Sequence, residues 1–426
     1  MLKNCANFLT SLRLTVVCLG LAIIVVFFGT LAEVHIGLYA AQAEIFRSFF
    51  IHWTPKGTHL RIPVFPGGWL VGLVLLANLI AAHIKRFQFS KKKIGILMVH
   101  AGLIFLLAGQ FFTEIFQVES QMRLPVGATM NYTEGSRNHE LAVIDVTDPS
   151  HDSVVSIPEA LLAKGGEIRP PGMPFTLRVK SYLPNSTPAG PMSGGGPKLQ
   201  ASQGIGRKLL FTPLPDAERM DDENRPTALV EVVDGGKSLG DWTVSYWLAK
   251  IPLARELQAE FGAMLNVTLT EPQKFVVAGH TYEMALRPTR YPKPYSITLL
   301  EFKHDVYPGT DIPSNFSSKI HLSDPARGED RDVLIRMNTP LRYAGETFYQ
   351  ASFEEGDMVS ILQVVRNPAA ATPYVACTLV ATGLIVQFLM HLIGFVRKRA
   401  QVPPLPASAK PPKVLQPALA GKRSAP

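Results

Sequence analysis

The chain has few cysteines, and their positions exclude thiol redox chemistry. Its 426 residues include three, Cys5, Cys18 and Cys377, and none of them falls between residues 114 and 373. There is no CxxC pair for thiol exchange and no cysteine framework for a disulfide-stapled domain. The chain therefore cannot itself reduce a disulfide bond in another protein.

Charge is absent from four segments, each long enough to cross a membrane. The uncharged runs cover about residues 14–32, 67–84, 94–113 and 374–396, and a helix of roughly 20 apolar residues spans about 30 Å of hydrocarbon. The first run exceeds the roughly 7–15 apolar residues of a secretory signal, and a poor cleavage site follows it. The sequence therefore predicts four transmembrane helices, the first of them retained.

Basic residues predict how these helices are oriented. The segment before the first helix, the linker between the second and third, and the segment after the fourth carry 14 of the 42 Lys and Arg residues and no Asp or Glu. Such segments stay on the cytoplasmic side. We expect a multi-pass protein of the cytoplasmic membrane with both termini in the cytoplasm. Because the net charge of +8 comes from these edges, it gives no support to nucleic-acid binding.

The predicted fold class is membrane α-helical, with four transmembrane helices, plus a large mostly-β extracytoplasmic domain. Residues 1–116 hold three helices and an outer loop over 33–66. Within that loop, the apolar spacing of residues 36–50 suits either a helix lying in the membrane interface or a packed cap.

The rest of the chain divides into a domain, a helix and a tail. Residues 117–372 are rich in β-branched and aromatic runs bounded by turns, with a Gly/Pro-rich insertion at about 184–226 that we expect to be flexible. Residues 373–396 form the fourth helix. Residues 397–426 are expected to be a basic, Pro/Ala-rich, disordered cytoplasmic tail.

Three histidines lie inside or beside the predicted helices. A histidine in a membrane span is costly to bury, so it indicates a ligand, a proton relay or a satisfied contact between helices. At 1.5 Å per residue, His100 lies roughly 10 Å inside the cytoplasmic edge and His391 roughly 9 Å, whereas His83 is shallower. Two imidazoles at one depth on different helices suit axial ligation of a heme iron. The alternatives are a hydrogen bond with Gln387 for His391 and an interfacial position for His83.

Small residues mark one face of the third predicted helix. Gly95, Gly102 and Gly109 recur every seven residues, which favours close helix packing. At 100° per residue, His100 points about 160° away from Gly102. If this stripe packs within the subunit, His100 is expected to face the helix of a partner. The stripe could equally be the partner surface itself.

Three stretches resemble one family of membrane proteins. They are YPKPYSITLLEFKHDVYPGTDIPSNFSSKIHLSD at 291–324, IRMNTPLRYAGETFYQASF at 335–353 and LQVVRNPAAATPYVACTLVATGL at 362–384. Together with the layout of three helices, a large domain and a fourth helix, they resemble ResB-type (CcsB) cytochrome c biogenesis proteins.

The end of the second stretch reads as an alternating strand in the core of a sheet. Alternation places one set of side chains on each face. The first set is Thr347, Tyr349, Ala351 and Phe353, and the second is Phe348, Gln350 and Ser352.

The resemblance implies that the chain handles heme. Members of the family deliver heme across the cytoplasmic membrane and act with a ResC/CcsA-type integral membrane protein, which carries a Trp-rich motif, to attach heme to CxxCH sites of apocytochrome c. A thioredoxin-like reductant acts on the apocytochrome. The family's membrane histidine corresponds to His100, with His391 and His83 as further candidate axial ligands. No Trp-rich motif occurs here, so the resemblance implies the non-catalytic half of a heme-ligation (synthetase) complex, with heme bound transiently and no catalytic residue in this chain.

Two other functions remain open from the sequence. A membrane electron-transfer subunit would hold a permanent heme between His100 and His391. A structural scaffold of the assembly complex would use its membrane histidines for packing only. A small-molecule transporter is disfavoured, because no charged residue lies inside a predicted span.

Overall fold

A computed structural model gives the arrangement of most of the chain. It describes residues 7–55, 58, 60–86, 90, 93–189, 198–217, 223–266, 268–309, 313–354 and 358–400. Much of the expected flexible insertion, and the expected disordered tail beyond residue 400, lie outside the described residues.

Four long helices are apolar enough to cross a membrane, as the sequence predicts. They are α1 (Leu12–Ala41), α2 (Gly68–Arg86), α3 (Ile94–Phe116) and, at the other end of the described chain, a helix over Thr372–Ala400. The side chain of Ser11 caps α1 by accepting a hydrogen bond from the Leu14 N–H at 3.2 Å, which satisfies one of the donors left over at a helix start.

The first helix is longer than the sequence suggests. It continues to Ala41 through a break at Gly37, whose φ of 80° suits glycine, and a π-helical turn over Gln42–Phe46 follows. The segment considered for an interfacial helix is thus the last part of α1 and this turn. The remainder of the expected outer loop contains a short hairpin of β1 (Phe50–Trp53) and β2 (Ile62–Pro66).

Beyond α3 the chain forms a mostly-β domain, here the β domain (residues 118–366), which together with the four long helices confirms the predicted combination of membrane-type helices and a large β domain. Its strands are β3 (Val118–Pro125), β4 (Thr129–Asp145), β5 (Ser153–Pro158), β6 (Gly166–Ile168), β7 (Phe175–Leu183), β8 (Ser186–Ala189), β9 (Leu210–Pro213), β10 (Thr227–Asp234), β11 (Lys237–Ser245), β12 (Gln273–Val277), β13 (His280–Val306), β14 (Pro313–Asp324), β15 (Glu329–Arg336), β16 (Leu341–Tyr343), β17 (Glu346–Glu354) and β18 (Val359–Arg366). Its short helices are α4 (Glu159–Lys164), α5 (Tyr246–Ala249), α6 (Ile251–Leu257) and α7 (Ala263–Leu265). The membrane-type helix that follows is α8 (Thr372–Ala400).

Two sheets build two cores in the β domain. The larger sheet has the order β15-β14-β13-β4-β3-β18-β17-β16, with β12 on β13 and β5 on β4, and the smaller has the order β11-β10-β7-β6. In β7, Phe175, Leu177 and Val179 alternate with outward residues and are buried against β4, β12 and β13. The second core lies around Ile297, Ile320 and Phe348. Here β15, at one end of the larger sheet, contacts β16 and β17 at the other end.

Two strands lie within the segment expected to be a flexible insertion. β8 and β9 pair antiparallel, and Phe211 of β9 is fully buried with Trp247 and Leu257 in a third cluster. The Trp247 indole N–H donates to the Ser186 carbonyl at 3.0 Å. The described parts of this segment are therefore packed, because their apolar residues are covered by the helices that follow β11.

The glycine stripe of α3 packs against α8 within the same chain. Gly95, Gly102 and Gly109 are buried. A Cβ added at Gly95 would lie 2.7 Å from the Gly383 carbonyl oxygen, and one at Gly102 would lie 2.8 Å from the Ala376 carbonyl oxygen. The two helices can approach this closely because α3 has no side chain at these positions and α8 has none at Gly383.

We expect Gly102→Ala to destabilise the pairing of α3 with α8. The new methyl group would meet the backbone of α8 and a Val380 methyl at 2.7 Å, and overpacking of this kind costs about 1–3 kcal/mol. The measurement is the thermal unfolding temperature of the full chain in detergent micelles. Gly72→Ala is the control, since its added Cβ meets no atom within 4 Å and helix propensity changes equally. Equal unfolding temperatures for the two variants would contradict this packing.

Candidate functional site

A cavity of about 280 Å³ lies between α1, α2 and α3, at the end of α3 away from the β domain. We call it the histidine cavity. Its polar lining consists of Thr10, Thr15, Asn78, His83, Lys93 and His100, and the rest is aliphatic. Among the described residues that line it there is no Asp or Glu, so the cavity combines imidazoles with one cationic side chain.

His100 points into this cavity with a defined tautomer. Its Nδ1 lies 2.9 Å from the carbonyl oxygen of Ile96, one turn earlier on α3. Because a carbonyl oxygen only accepts, Nδ1 carries the proton, and a neutral ring then leaves the Nε2 lone pair for a ligand. This is how proteins orient imidazoles that bind metals.

His83 lies next to His100. The two ring centroids are 6.2 Å apart and the ring planes are inclined by 53°, and both residues are half-buried. The sequence places His83 nearer the membrane surface than His100. The structure brings the two rings close together because α2 and α3 run antiparallel, and the shallower depth of His83 stays a prediction.

His391 does not share the level of His100. Gly95 contacts Gly383 and Gln387 of α8, and His391 lies one further helical turn beyond Gln387. The helical rise separates it from the level of His100 by roughly 15 Å. The equal level of His391 and His100 expected from the sequence is wrong, because the packing of Gly95 on Gly383 and Gln387 sets the offset between α3 and α8.

The ring of His391 is exposed and already hydrogen-bonded. Its Nε2 lies 2.8 Å from the side-chain amide nitrogen of Gln387 on the same helix. An amide nitrogen only donates, so this bond uses the lone pair that a metal would need. The sequence analysis gave this hydrogen bond with Gln387 as the alternative to heme ligation by His391.

The glycine stripe determines the direction that His100 faces. Since Gly102 faces α8, the opposite side of α3 faces α1 and α2. The stripe packs within the subunit, and His100 lies beside His83 of the same chain. That a partner's helix also faces His100 stays a prediction.

Asn78 is a residue that the sequence analysis missed. It is 1% exposed, donates to the Leu9 carbonyl at 2.6 Å and accepts from the Thr15 hydroxyl at 2.6 Å. The Lys85 ammonium donates to the Asn7 side chain at 2.6 Å. These bonds join the start of α1 to α2 and build one wall of the histidine cavity. A single Asn in an uncharged span is the signal that indicates such a contact.

The titratable residues of the β domain are arranged differently. Among the described residues, no group of three or more His, Cys, Asp or Glu side chains could hold a metal ion. His139 bonds Glu159 at 3.1 Å, His280 bonds Asp145 at 2.8 Å, and His321 bonds Asp330 at 2.7 Å. These bonds are ion pairs and hydrogen bonds typical of a folded domain.

The strand at the end of the second family stretch departs from simple alternation. A β-bulge lies between Gln350 and Ser352. Phe348 and Gln350 point inward as expected, but the bulge also turns Phe353 inward, where it stacks on Phe302 with ring centroids 5.7 Å apart. The expectation that Phe353 lies on the face opposite Phe348 is therefore wrong, since a bulge cannot be read from an alternating pattern.

A buried ion pair explains another part of these stretches. Lys293 bonds Glu346, and their side chains are 9% and 11% exposed. The Tyr295 hydroxyl donates to the other Glu346 oxygen at 2.6 Å. Burial, with the hydrogen bond and charge of Glu346, raises the pKa of Tyr295, so the phenol stays protonated. This network joins β13 to β17 and is structural.

Comparisons with known proteins agree with the resemblance. The fold defines the class: four helices able to span a membrane and a large mostly-β domain. Residues 253–361 match the model of the ResB-like family. Protein NrfI of Wolinella succinogenes is 31% identical over 107 residues, which are 25% of this chain and 12% of that protein. The chain thus matches about an eighth of the length of that relative. The family model covers the chain from within α6 to the start of β18 and no membrane-type helix.

We expect Glu346→Ala to destabilise the β domain strongly. It would leave the Lys293 ammonium buried without its carboxylate, and breaking a buried pair costs roughly 3–5 kcal/mol. The measurement is thermal unfolding of the full chain followed by circular dichroism.

The control for this variant is Glu301→Ala, which removes an ion pair with Lys303 at 3.2 Å whose side chains are 52% and 60% exposed. Exposed pairs contribute less than about 1 kcal/mol. The double variant Lys293→Met/Glu346→Leu should recover most of the lost stability. Equal effects of Glu346→Ala and Glu301→Ala would refute a buried network.

Proposed function

We propose that this chain acts in the biogenesis of c-type cytochromes and that His100 binds the iron of heme on its way to the apocytochrome. The match of residues 253–361 to the ResB-like family supports the role in cytochrome c biogenesis. The observation that carries the heme assignment is the geometry of His100: its Nδ1 is bonded to the Ile96 carbonyl and its Nε2 is left for a metal beside a cavity.

In this proposal the two ends of α3 lie on opposite sides of the membrane. The histidine cavity lies near Lys85 and Lys93, at the ends that the distribution of basic residues assigns to the cytoplasm. The β domain begins at Val118, directly after the other end of α3, and is therefore extracytoplasmic. Heme is received at the cytoplasmic side, and the β domain acts where apocytochrome c is found.

Axial imidazole ligation and an apolar surround tune the potential of a heme iron. In this chain His100 supplies the imidazole, the aliphatic lining excludes water, and Lys93 supplies a positive charge for a propionate. The cavity of about 280 Å³ is smaller than most sites for drug-sized ligands, which measure roughly 300–1,000 Å³. A porphyrin would extend beyond it, so a second surface has to cover the rest.

That second surface belongs, in this proposal, to a ResC/CcsA-type membrane protein. The chain has no Trp-rich motif and no CxxC pair, so attachment of heme and reduction of the CxxCH thiols fall to other proteins. The partners are then this membrane protein, apocytochrome c and a thioredoxin-like reductant. This chain is the non-catalytic half of the complex.

A second candidate is a membrane electron-transfer subunit with a permanent heme. The observation that favours it is the pair of imidazoles in one chain, with His83 and His100 centroids 6.2 Å apart. It predicts one heme per chain that is never exchanged. A pulse of labelled heme precursor followed by a chase separates the two, because a delivery protein loses its label to c-type cytochromes.

We expect His100→Ala to lower the heme content of the purified complex at least about tenfold, since loss of a metal-site partner typically costs 10–100-fold in affinity. Heme-stained c-type cytochromes in the membrane should fall with it. The measurements are the ratio of heme to protein by pyridine hemochrome and heme staining of membrane proteins.

His391→Ala is the matched control, because it removes the same side chain from another helix at a different level. It should leave both readouts unchanged. Unchanged heme content in His100→Ala would remove the assignment.

A further inference from the structure

A polar groove of about 410 Å³ crosses β13, β14 and β15 on the face opposite the second core. We call it the β13–β15 groove. We propose that it binds carboxylate groups from an acidic segment of another polypeptide. This inference goes beyond the proposed function and does not depend on heme binding by His100.

Strand pairing places three hydrogen-bond donors in one row of the groove. Lys303 of β13 is the register partner of Ser317 of β14, and Ser317 is the register partner of Arg336 of β15. Neighbouring strands lie about 4.8 Å apart, so the two cations stand roughly 10 Å apart at the backbone with the short serine between them. An ammonium, a hydroxyl and a guanidinium can thus reach one carboxylate that lies over the serine.

Two of these donors have no partner in the part of the chain that the structure describes. Ser317 is 7% exposed and lines the groove, and its hydroxyl bonds no described residue. The guanidinium of Arg336 is exposed and likewise bonds no described residue. Because buried polar side chains are almost always hydrogen-bonded, the serine hydroxyl indicates a partner from outside the chain.

The carboxylates of the groove are already engaged by other side chains. Glu301 bonds Lys303 at 3.2 Å, with both side chains more than half exposed. Asp305 accepts from the side-chain amide of Asn315 at 3.1 Å. Exposed ion pairs are weak, so an incoming carboxylate can replace Glu301 at Lys303 with little loss. Arg336 is the cation that the described carboxylates leave over.

The lining favours a polypeptide carboxylate over an apolar cofactor. Among the described residues that line the groove, Leu334 alone is apolar, whereas sites for drug-sized ligands and cofactors are lined mostly by apolar and aromatic side chains. An acidic segment needs cations spaced along a surface. Lys319, which bonds Asp332 at 3.2 Å with both side chains 47% exposed, is a further cation of this kind in the lining.

The position of the groove excludes a phospholipid headgroup. β3 leaves α3 at Val118 and ends at Pro125. Thr129 at the start of β4 pairs with Thr298 of β13, and β13 continues in the same outward direction to Lys303. The path along these strands from α3 to the groove is roughly 40 Å at about 3.3 Å per residue, so the surface of the membrane lies well away from it.

The test is photo-crosslinking to the full chain in detergent micelles. The probe is a hexaglutamate peptide that carries a benzophenone group at one end, and mass spectrometry maps where it attaches. We expect attachment to β13, β14 or β15. A hexaserine peptide with the same benzophenone should not attach there, since it has no side-chain carboxylates.

Three variants should change the yield on these strands in different directions. Arg336→Gln should lower it about tenfold, because a charge-assisted hydrogen bond is lost. Ser317→Ala keeps the volume of a small side chain and should lower the yield about threefold, because one neutral donor is lost. Glu301→Gln should raise it about threefold, because the carboxylate that competes for Lys303 is removed.

Arg331→Gln is the matched control for Arg336→Gln. It makes the same change of charge on the same strand, but position 331 lies on the opposite face of β15 by alternation, and Arg331 bonds Glu329 at 2.8 Å. The yield should stay at the wild-type value. Equal yields in the two arginine variants, or attachment confined to other parts of the chain such as the basic residues after 396, would overturn the site. Neither result bears on heme binding by His100, which has its own readout.

Discussion

The close approach of α3 to α8 is the constraint on which the rest of the structure depends. Three glycines bring the two backbones into contact, and this fixes the rotation of α3 about its own axis. His100 is rotated about 160° from Gly102, so the same contact turns its ring toward α1 and α2. Small residues on the opposite side of α3 thus determine where the histidine cavity lies.

The same pairing continues into the β domain. The strand that follows α3 and the strand that precedes α8, β3 and β18, pair antiparallel from Val118 and Arg366 onward. At the junction of β18 with α8, the Asn367 side-chain amide donates to the Thr113 hydroxyl at 3.2 Å and to the Gln117 side-chain oxygen at 3.3 Å. The strand pair and the helix pair therefore form one continuous packed unit, which ties the orientation of α3 to the start of the β domain.

Composition and periodicity predicted the elements well and their mutual positions poorly. Uncharged runs identified four helices, because the cost of placing charge in hydrocarbon is large. β-branched runs identified the domain. What failed was the relative level of two helices: counting from Arg397 placed His391 level with His100, whereas the packing of Gly95 on Gly383 and Gln387 offsets it by roughly 15 Å. Depth depends on where helices cross, and that is set by Asn78 and the glycines, which lie on helices distant in sequence from one another.

The shape of the histidine cavity bears on whether heme would stay or leave. A permanently bound cofactor is commonly enclosed over 70–90% or more of its surface, which excludes water and fixes its potential. Here His100 is half-buried, and the described lining encloses about 280 Å³, less than a porphyrin needs. Ligation would hold the iron while one edge of the macrocycle stays open to whatever covers it. Under the proposed function, such a site would favour transfer over storage, because a partner that covers the open edge can compete for the iron without unfolding the helices.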